Sequence, residues 1–548
     1  MTTQITLRSD ENRIIIASDY DVELISVLKS AGCSWNKNEK VWHAPLVLAP
    51  KIVEKLKSLD QNRFVVRRLD EVNKAIEAIE KVITASSAVD VESFDLPDNL
   101  NLFNYQKAGV KFILDRGGRA LIGDEQGLGK TIEALVSVKL LNDRRVVVVC
   151  PASVIENWKR EAKRWIGVDA YAPKKSNEDV ADRDFIVISY DAAKKLKIGQ
   201  RDCIIIDEAH YIKNTKSQRH KAIVEIADQC KHVIALTGTP LLSRPVELWG
   251  IMRAVQGKNA MNFWNYAKRF CDAKQTRFGW DFSGASHLDE LNQLFRSFAV
   301  RRVKSQVLTD LPEKINETIY LYDIVGKSDT EKAIEQLLKR HKNNVGAVLK
   351  SLGAEGIKQL WGKVLQEFHK NADVKADDKR LMEFVIDAAT VKTLVFAKHK
   401  NILDQLENSL NEENIKFIRI DGDVDINKRQ RLVDWFNNEE EIKVALLSFG
   451  AAREGLNMQS ASQVIFTEMD WTPGAMSQAE ARAHRIGQKN SVLVKTLITT
   501  PFDNLLRDVI LSKSAVLANS VDGDAMESSD SSIIRQMIET IAKRLDNK

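Results

Sequence analysis

One stretch, Asp124 to Thr131 (DEQGLGKT), restricts the fold of this chain more than any other. It follows a short apolar run, Arg119 to Ile122, and precedes a helical pattern from Ile132 to Val138. A strand, a glycine-rich loop and a Gly-Lys-Thr that opens a helix form the context of a phosphate-binding loop. Gly127 and Gly129 carry no Cβ, so backbone N–H groups can turn inward onto a phosphate, and the helix N-terminus adds partial positive charge. The pattern sends Lys130 to the β- and γ-phosphates of ATP and the Thr131 hydroxyl to Mg²⁺. Asp124, Glu125, Gln126, Gly127, Leu128 and Gly129 make the cradle. One departure stands out: the usual first glycine of G-x4-G-K-T is Asp124 here.

A second stretch, Cys203 to His210 (CIIIDEAH), is a continuous apolar strand that ends in two carboxylates. Such a strand belongs to a parallel sheet covered on both faces, and ligands gather at the carboxyl ends of those strands. A buried strand that ends in two acids needs a cation or a substrate to stabilise them. Asp207 is expected to hold Mg²⁺ through its water shell, and Glu208 to polarise the attacking water. The two stretches together imply nucleotide hydrolysis.

The chain has 548 residues, too many for one core, and its 44% hydrophobic and 29% charged content is that of an ordinary globular protein. A net charge of +5 is small at this length, so any polyanion site must be a local patch. The cysteines at 33, 150, 203, 230 and 271 show no C-x-x-C pair, which argues against a zinc ribbon or disulfide framework and fits a reducing interior. No apolar run is long enough for a bilayer and no signal peptide opens the chain, so no membrane partner is expected.

Residues 1–65 read as a small α+β module. It has a strand at Arg13 to Ala17, a helix at Val22 to Leu28, and a hairpin over Ser34 to Trp42 that brings Trp35 and Trp42 together. The two tryptophans either pack a small core or present a nucleic-acid surface beside Lys37, Lys40 and His43. Residues 66–98 read as a helix, Leu69 to Ile83, and a linker ending near Pro97. Leu102 to Gln106 places an aromatic and Gln106 upstream of the loop, where an amide can donate to and accept from an adenine edge. Further strands read from Val146 to Cys150, Phe185 to Ser189, and up to Leu236.

The series DEQGLGKT, PASVIENW (151–158), VISYD (187–191), DEAH, LTGTP (236–240) and QAEARAHRIGQ (478–488) resembles the Swi/Snf helicase-like ATPases of superfamily two. The matches run in order from about 102 to 490. Leu241 to Pro245, Phe270 to Gly284 and Arg301 to Pro312 look most like the HepA-related, annealing-helicase branch. The N-terminal module is similar to the HARP domain of that branch. The resemblance implies an α/β fold of two RecA-like parallel-sheet lobes with helical insertions: lobe one over 99–312, helices between the lobes over 313–388, lobe two over 389–512, and a C-terminal loop and amphipathic helix over 513–548. It implies a DNA-dependent ATPase that translocates on duplex DNA without processive strand separation and remodels or reanneals forks or displaces bound proteins. A strand-separating helicase and a catalytically silent scaffold are the alternatives.

DNA contacts are expected from Ser153, Ser189, Tyr190, Thr237, Gly238 and Thr239, and from Arg301, Arg302 and Lys304, which an apolar run fixes near the lobe junction. Most lysines between the lobes are solvated helix faces. Lobe two has strands at 393–397, 416–420, 444–447 and 464–467 and no phosphate loop. Arg482 and Arg485, three apart on a helix, are its arginine fingers. Ser448 to Asn457 takes the place of the coupling motif, with Arg453 and Glu454 where smaller residues are common. Residues 521–531 read as a loop, and Ile533, Ile534, Met537, Ile538, Ile541 and Leu545 as a helix that docks on the motor. The partners implied are double-stranded or forked DNA and replication or repair proteins, with the chain a monomer. It would be cytoplasmic and nucleoid-associated in a prokaryote or virus, and nuclear in a eukaryote.

Overall fold

The computed structural model describes residues 3–10, 12–91, 96, 100–175, 178–238, 245–276, 279–282, 284–308, 310–452, 456–471, 473–519 and 530–546. The chain forms two compact units, Met1–Glu125 with Gly129–Val307, and Gln126–Leu128 with Leu308–Lys548.

The first unit opens with five strands: β1 (Thr3–Ser9), β2 (Arg13–Ser18), β3 (Ser34–Asn36), β4 (Val41–Pro45) and β5 (Phe64–Arg67). They form one sheet in the order β3-β4-β2-β1-β5. Alternate residues Ile5, Leu7, Ile14 and Ile16 are fully buried, as a strand period of two requires, and share a core with Leu24, Leu28, Ile52 and Leu56 of two helices. At the β3–β4 turn the Asn36 carboxamide oxygen accepts the N–H groups of Asn38 and Glu39, at 3.0 and 3.3 Å. This sets Trp35 directly opposite Trp42, with ring centroids 5.4 Å apart. Trp42 packs into the core, while Trp35 stays 45% exposed.

The module is anchored to the rest of the unit. Lys51 pairs with Glu290 at 2.7 Å, and Arg116 donates to Asn12 at 3.1 Å. The larger sheet of this unit comprises β6 (Arg119–Ile122), β7 (Val146–Cys150), β8 (Phe185–Ser189), β9 (Cys203–Asp207) and β10 (His232–Leu236). After a surface hairpin, β11 (Lys274–Thr276) and β12 (Gly279–Asp281), comes β13 (Ala299–Val300). The order is β13-β6-β10-β9-β7-β8 and every pairing is parallel. The unbroken apolar runs Val146–Val149 and Ile204–Ile206 are fully buried.

The second unit has its own six-stranded parallel sheet, β14 (Lys314–Tyr320), β15 (Thr393–Ala397), β16 (Phe417–Ile420), β17 (Val444–Ser448), β18 (Gln463–Phe466) and β19 (Val492–Ile498). The order is β14-β19-β18-β15-β17-β16. Residues 313–388, expected to be helices between the lobes, open instead with β14, which pairs with β19 from Lys314↔Val492 to Tyr320↔Ile498. As an edge strand β14 is largely exposed and carries no apolar run to reveal it. Helices Asp329–Arg340, Val345–Ala376 and Lys379–Ala388 follow, the middle one broken at Gly353 (φ 58°). Lys375 is not a solvated lysine: fully buried, it donates to Thr467 O at 2.5 Å and pairs with Asp503 at 3.0 Å.

The final helix, Asp530–Asp546, starts within the span read as a loop. It buries Ile533, Ile534, Met537, Ile538 and Ile541 in the second unit's core, and Arg544 pairs with Glu331 at 2.9 Å and with Asp508. Among the described residues no helix is long and apolar enough to cross a membrane.

Candidate nucleotide site

The parallel sheet of the first unit brings three strand ends together. In register, Ile122 of β6 lies beside Leu236 of β10, and Leu236 beside Asp207 of β9. At ~4.8 Å per strand, the start of the loop after β6 and the acid at the end of β9 are roughly 10 Å apart. A triphosphate bridges such a span at the carboxyl edge of a parallel sheet.

The loop turns through Gly127 (φ 88°) and Gly129 (φ 84°), left-handed positions that glycine occupies at no steric cost, and Lys130 opens a helix to Leu140. A Cβ on Gly129 would stand 2.4 Å from Nε2 of Gln106, so the Gln106 amide is pressed against the loop. The Gln106 Oε1 accepts the N–H of Phe103 at 3.1 Å and caps its own helix, which leaves the amide donor side toward the loop. The Lys130 Nζ donates to the carbonyls of Asp124, at 2.8 Å, and Glu125, at 3.3 Å. Burial lowers the Lys130 pKa, opposed by the charges of Glu208, Asp124 and Asp207 around it.

Asp124, the residue in place of a glycine, is fully buried and tied to Arg302. Arg302 Nε lies 2.9 and 3.1 Å from the two Asp124 oxygens, and the Arg302 N–H donates to Oδ1 at 2.9 Å. Arg302 Nη2 also reaches Glu133 Oε2 at 3.1 Å, one turn into the helix after the loop, and Nη1 donates to Tyr105 O. Burial pushes the Glu133 carboxyl well above the usual range, with Arg302 pulling the other way. Gly109 makes room for this cluster: a Cβ there would fall 1.8 Å from Glu133 Oε2. Next to it Lys304, also buried, pairs with Glu125 at 3.6 Å.

At the other end of the site, burial and the Glu208 charge push the Asp207 carboxyl up to about 7, against a hydrogen bond from Trp158. That bond, Trp158 Nε1 to Oδ2, is 2.7 Å. Tyr190, itself buried, donates to Asp207 O at 2.6 Å and Glu208 O at 3.3 Å. Glu208 has φ 51°, a conformation that costs a non-glycine residue on the order of 1 kcal/mol, and it swings the carboxylate off the strand line. The Glu208 Oε2 lies 3.2 Å from His210 Nδ1, which also meets Thr237 Oγ1 at 3.3 Å.

The donor set fits a magnesium–nucleotide complex. Two crowded carboxylates, Asp207 desolvated among them, are a charge that a divalent cation relieves, and Mg²⁺ takes one or two protein carboxylates when phosphates and water fill the rest of its shell. The ammonium that caps its own loop carbonyls is placed to exchange them for phosphate oxygens.

Burial corrects the DNA expectation for Arg302, Lys304, Tyr190 and Thr237. Arg302 and Lys304 are buried in the ion pairs behind the loop and present no surface to a phosphate backbone. Arg301 donates to Gly123 O at 2.7 Å and Gly238 O at 3.1 Å, bracing the loop entrance against the end of β10. Tyr190 and Thr237 are buried supports of the acid pair. Ser189 Oγ accepts the N–H of Ala192 at 3.2 Å, Ser153 is partly exposed in a short 3₁₀ turn, and Gly238 is buried. Thr239, Arg453, Glu454 and residues 521–529 lie outside the described residues.

In the second unit the helix Pro473–Glu480 ends before Arg482 and Arg485, which stand in the turns after it rather than on one helical face. Arg482 O accepts the N–H of Met458 at 3.1 Å, and Arg485 O accepts that of Gln488 at 3.0 Å. The Gln488 carboxamide donates to the carbonyls of Gln459, Ala461 and Ala483, at 3.1, 2.7 and 3.1 Å, so this turn is fixed from inside.

Residues 105–345 match the SNF2-related domain, and residues 377–487 match the helicase conserved C-terminal domain. Over 525 residues the chain is 33% identical to the SWI/SNF-related matrix-associated actin-dependent regulator of chromatin subfamily A-like protein 1 of Xenopus laevis, covering 91% of this chain and 53% of that protein. It is 32% identical over 451 residues to the human DNA annealing helicase and endonuclease ZRANB3, covering 78% of this chain and 41% of that one. The chain thus spans about half the length of these relatives. A solved structure of the Sulfolobus solfataricus SWI2/SNF2 ATPase core in complex with dsDNA is 23% identical and covers 82% of this chain and 99% of that one, with a TM-score of 0.37. By its two domains and the motifs they contain, the chain belongs to the SNF2-related, helicase-like ATPase family.

Proposed function

We propose that the chain is a DNA-dependent ATPase that moves along double-stranded DNA and remodels or reanneals forks, in keeping with the name that the human relative carries. The observation that carries the nucleotide half of this reading is the convergence of Lys130, at the mouth of its loop, with the paired acids Asp207 and Glu208. ATP is the nucleotide, and Mg²⁺, when bound, neutralises charge on its phosphates. Lys130 holds the β- and γ-phosphates, Thr131 and Asp207 hold the metal, and Gln106 meets the base with its amide. Glu208 takes the proton of the attacking water, in an orientation set by its left-handed backbone and by His210. Arg482 and Arg485 of the second unit stabilise charge on the γ-phosphoryl group as arginine fingers.

The DNA half rests on family membership and on the names of the relatives. Contacts to the phosphate backbone position a duplex without reading its sequence, so binding is expected to be nonspecific and to weaken steeply with salt. The partner is duplex or forked DNA, and the compartment is the one that holds it.

The test is steady-state ATP hydrolysis without nucleic acid and with single strand, linear duplex and forked duplex, beside a Glu208→Gln control. Stimulation by duplex or fork DNA that the control abolishes supports the reading. A rate indifferent to DNA removes the DNA half, and activity retained by the control removes Glu208 from its role.

A further inference from the structure

Two tryptophans of the first unit are held in place without being covered. Trp264 lies in the helix Phe263–Phe270 and Trp280 in β12, and they are 44% and 41% exposed. Their rings meet edge to face, centroids 5.1 Å apart. From behind, Trp264 packs on Phe282 at 5.7 Å, and Trp280 stacks parallel to Phe282 at 6.4 Å. Rings fixed in this way lose little side-chain freedom when something lies on their outer surfaces, and a cluster of exposed aromatics marks an interaction surface.

The aromatic run continues inward. Phe282 meets Phe263 at 5.2 Å, and Phe263 meets Trp249 at 5.2 Å, whose Nε1 donates to Met261 O at 2.7 Å. Trp249 and Phe263 line a cavity of about 490 Å³ between the N-terminal sheet and the helix Pro245–Gln256, together with Asn36, Gln256, Asn259 and Lys258. Those amides offer both donors and acceptors, the complement of a nucleobase edge.

Charge around the platform suits a polyanion. Lys268 stands one turn along the helix from Trp264 and is exposed, and Lys258 sits at the cavity wall. Of the nearby acids, Asp272 pairs with Lys274 at 2.5 Å and Asp281 lies opposite that same lysine in the hairpin, so these three leave one negative charge against Lys258 and Lys268. Asp228 takes both ends of the Arg253 guanidinium, at 2.8 Å each.

We propose that Trp264 and Trp280 form a stacking platform for the unpaired bases of gapped or forked DNA, and that the adjoining cavity receives the edge of a base. The proposal rests on the DNA reading above and adds the element that separates unpaired from paired DNA. Every base has a π-face that a fixed indole can cover, whereas a duplex keeps those faces stacked inside.

The test is equilibrium binding by the full nucleotide-free chain of a labelled oligo(dT) of about ten nucleotides, within the length such sites cover, and of a blunt duplex, followed by anisotropy and tryptophan quenching. Trp280→Ala, the double variant Trp264→Ala/Trp280→Ala and the conservative Trp264→Phe/Trp280→Phe are compared with wild type. Each alanine is expected to weaken oligo(dT) binding about 5- to 150-fold, with phenylalanine restoring most of it and duplex affinity unmoved. Unchanged oligo(dT) affinity in the double alanine variant overturns the proposal and leaves the face to a protein partner. An equal loss on duplex and oligo(dT) also overturns it, because the platform then does not sense pairing. Trp280 lies in a short surface strand, so Trp280→Ala decides the matter even if the double variant fails to fold. Because binding is read without ATP, a hydrolysis rate indifferent to DNA removes the motor reading while this result stands on its own.

Discussion

Arg302→Met would remove the cation ion-paired with Asp124, in a site where Asp124 has no exposure at all. Methionine keeps much of the apolar stem and takes away the guanidinium contacts at 2.9 and 3.1 Å to Asp124 and at 3.1 Å to Glu133. Breaking a buried pair from one side costs about 3–5 kcal/mol, because the remaining charge is uncompensated.

Hydrogen exchange of the amides in Arg119–Ile122 and Lys130–Leu140, corrected for intrinsic rates, reads this cost directly. Opening is expected roughly 150- to 5,000-fold more often than in wild type. Arg302→Met/Asp124→Asn should recover most of the loss, because no charge is left to strand. A penalty below about 1 kcal/mol would refute the buried-pair reasoning. A loss of DNA affinity with unchanged exchange would instead return Arg302 to the DNA surface.

Three further outcomes are expected. Gly109→Ala drives a methyl to 1.8 Å from the Glu133 carboxylate and should destabilise the first unit by about 1–3 kcal/mol, read as a lower urea midpoint with fluorescence from that unit; a neutral result would mean the helix shifts freely. Asp207, pushed up to about 7 from an ordinary 3.8, holds a proton in the folded nucleotide-free protein that the unfolded chain has lost, so stability drains as pH rises through that window. Asp207→Asn should therefore stabilise the nucleotide-free protein at pH 8, by about 1.4 kcal/mol for each pH unit between the unfolded and folded values, and not at pH 4, while Mg²⁺-dependent nucleotide binding is lost; equal effects at both pH values would contradict the raised carboxyl. Arg485→Ala should lower kcat for hydrolysis about 10³- to 10⁵-fold while nucleotide affinity stays near wild type, and a changed affinity with intact kcat would exclude the finger role.

The fold is legible in the sequence where chemistry and periodicity coincide. The buried parallel strands announce themselves as unbroken runs of valine and isoleucine, and the loop and the acid pair are confined to the ends of such strands. The edge strand Lys314–Tyr320 escapes a reading by pattern because it is mostly exposed and its residues need not be apolar. The basic residues after β13 mislead for a different reason. Arg301, Arg302 and Lys304 are three cations after an apolar strand, and sequence alone does not say whether a cation there meets a phosphate or an internal carboxylate.

The signal that separates the two lies elsewhere in the chain, at Asp124. An acid in place of the loop's first glycine cannot be buried without a cation to answer it, and the nearest basic residue after it, Lys130, gives its hydrogen bonds to the loop carbonyls. The compensating charge must therefore arrive from a distant segment on a neighbouring strand, and β13, hydrogen-bonded beside β6, delivers Arg302 two residues beyond its end. A departure from a motif is then a statement about tertiary structure. The substituted residue names the kind of partner it requires, and the sheet order limits which segment can supply it.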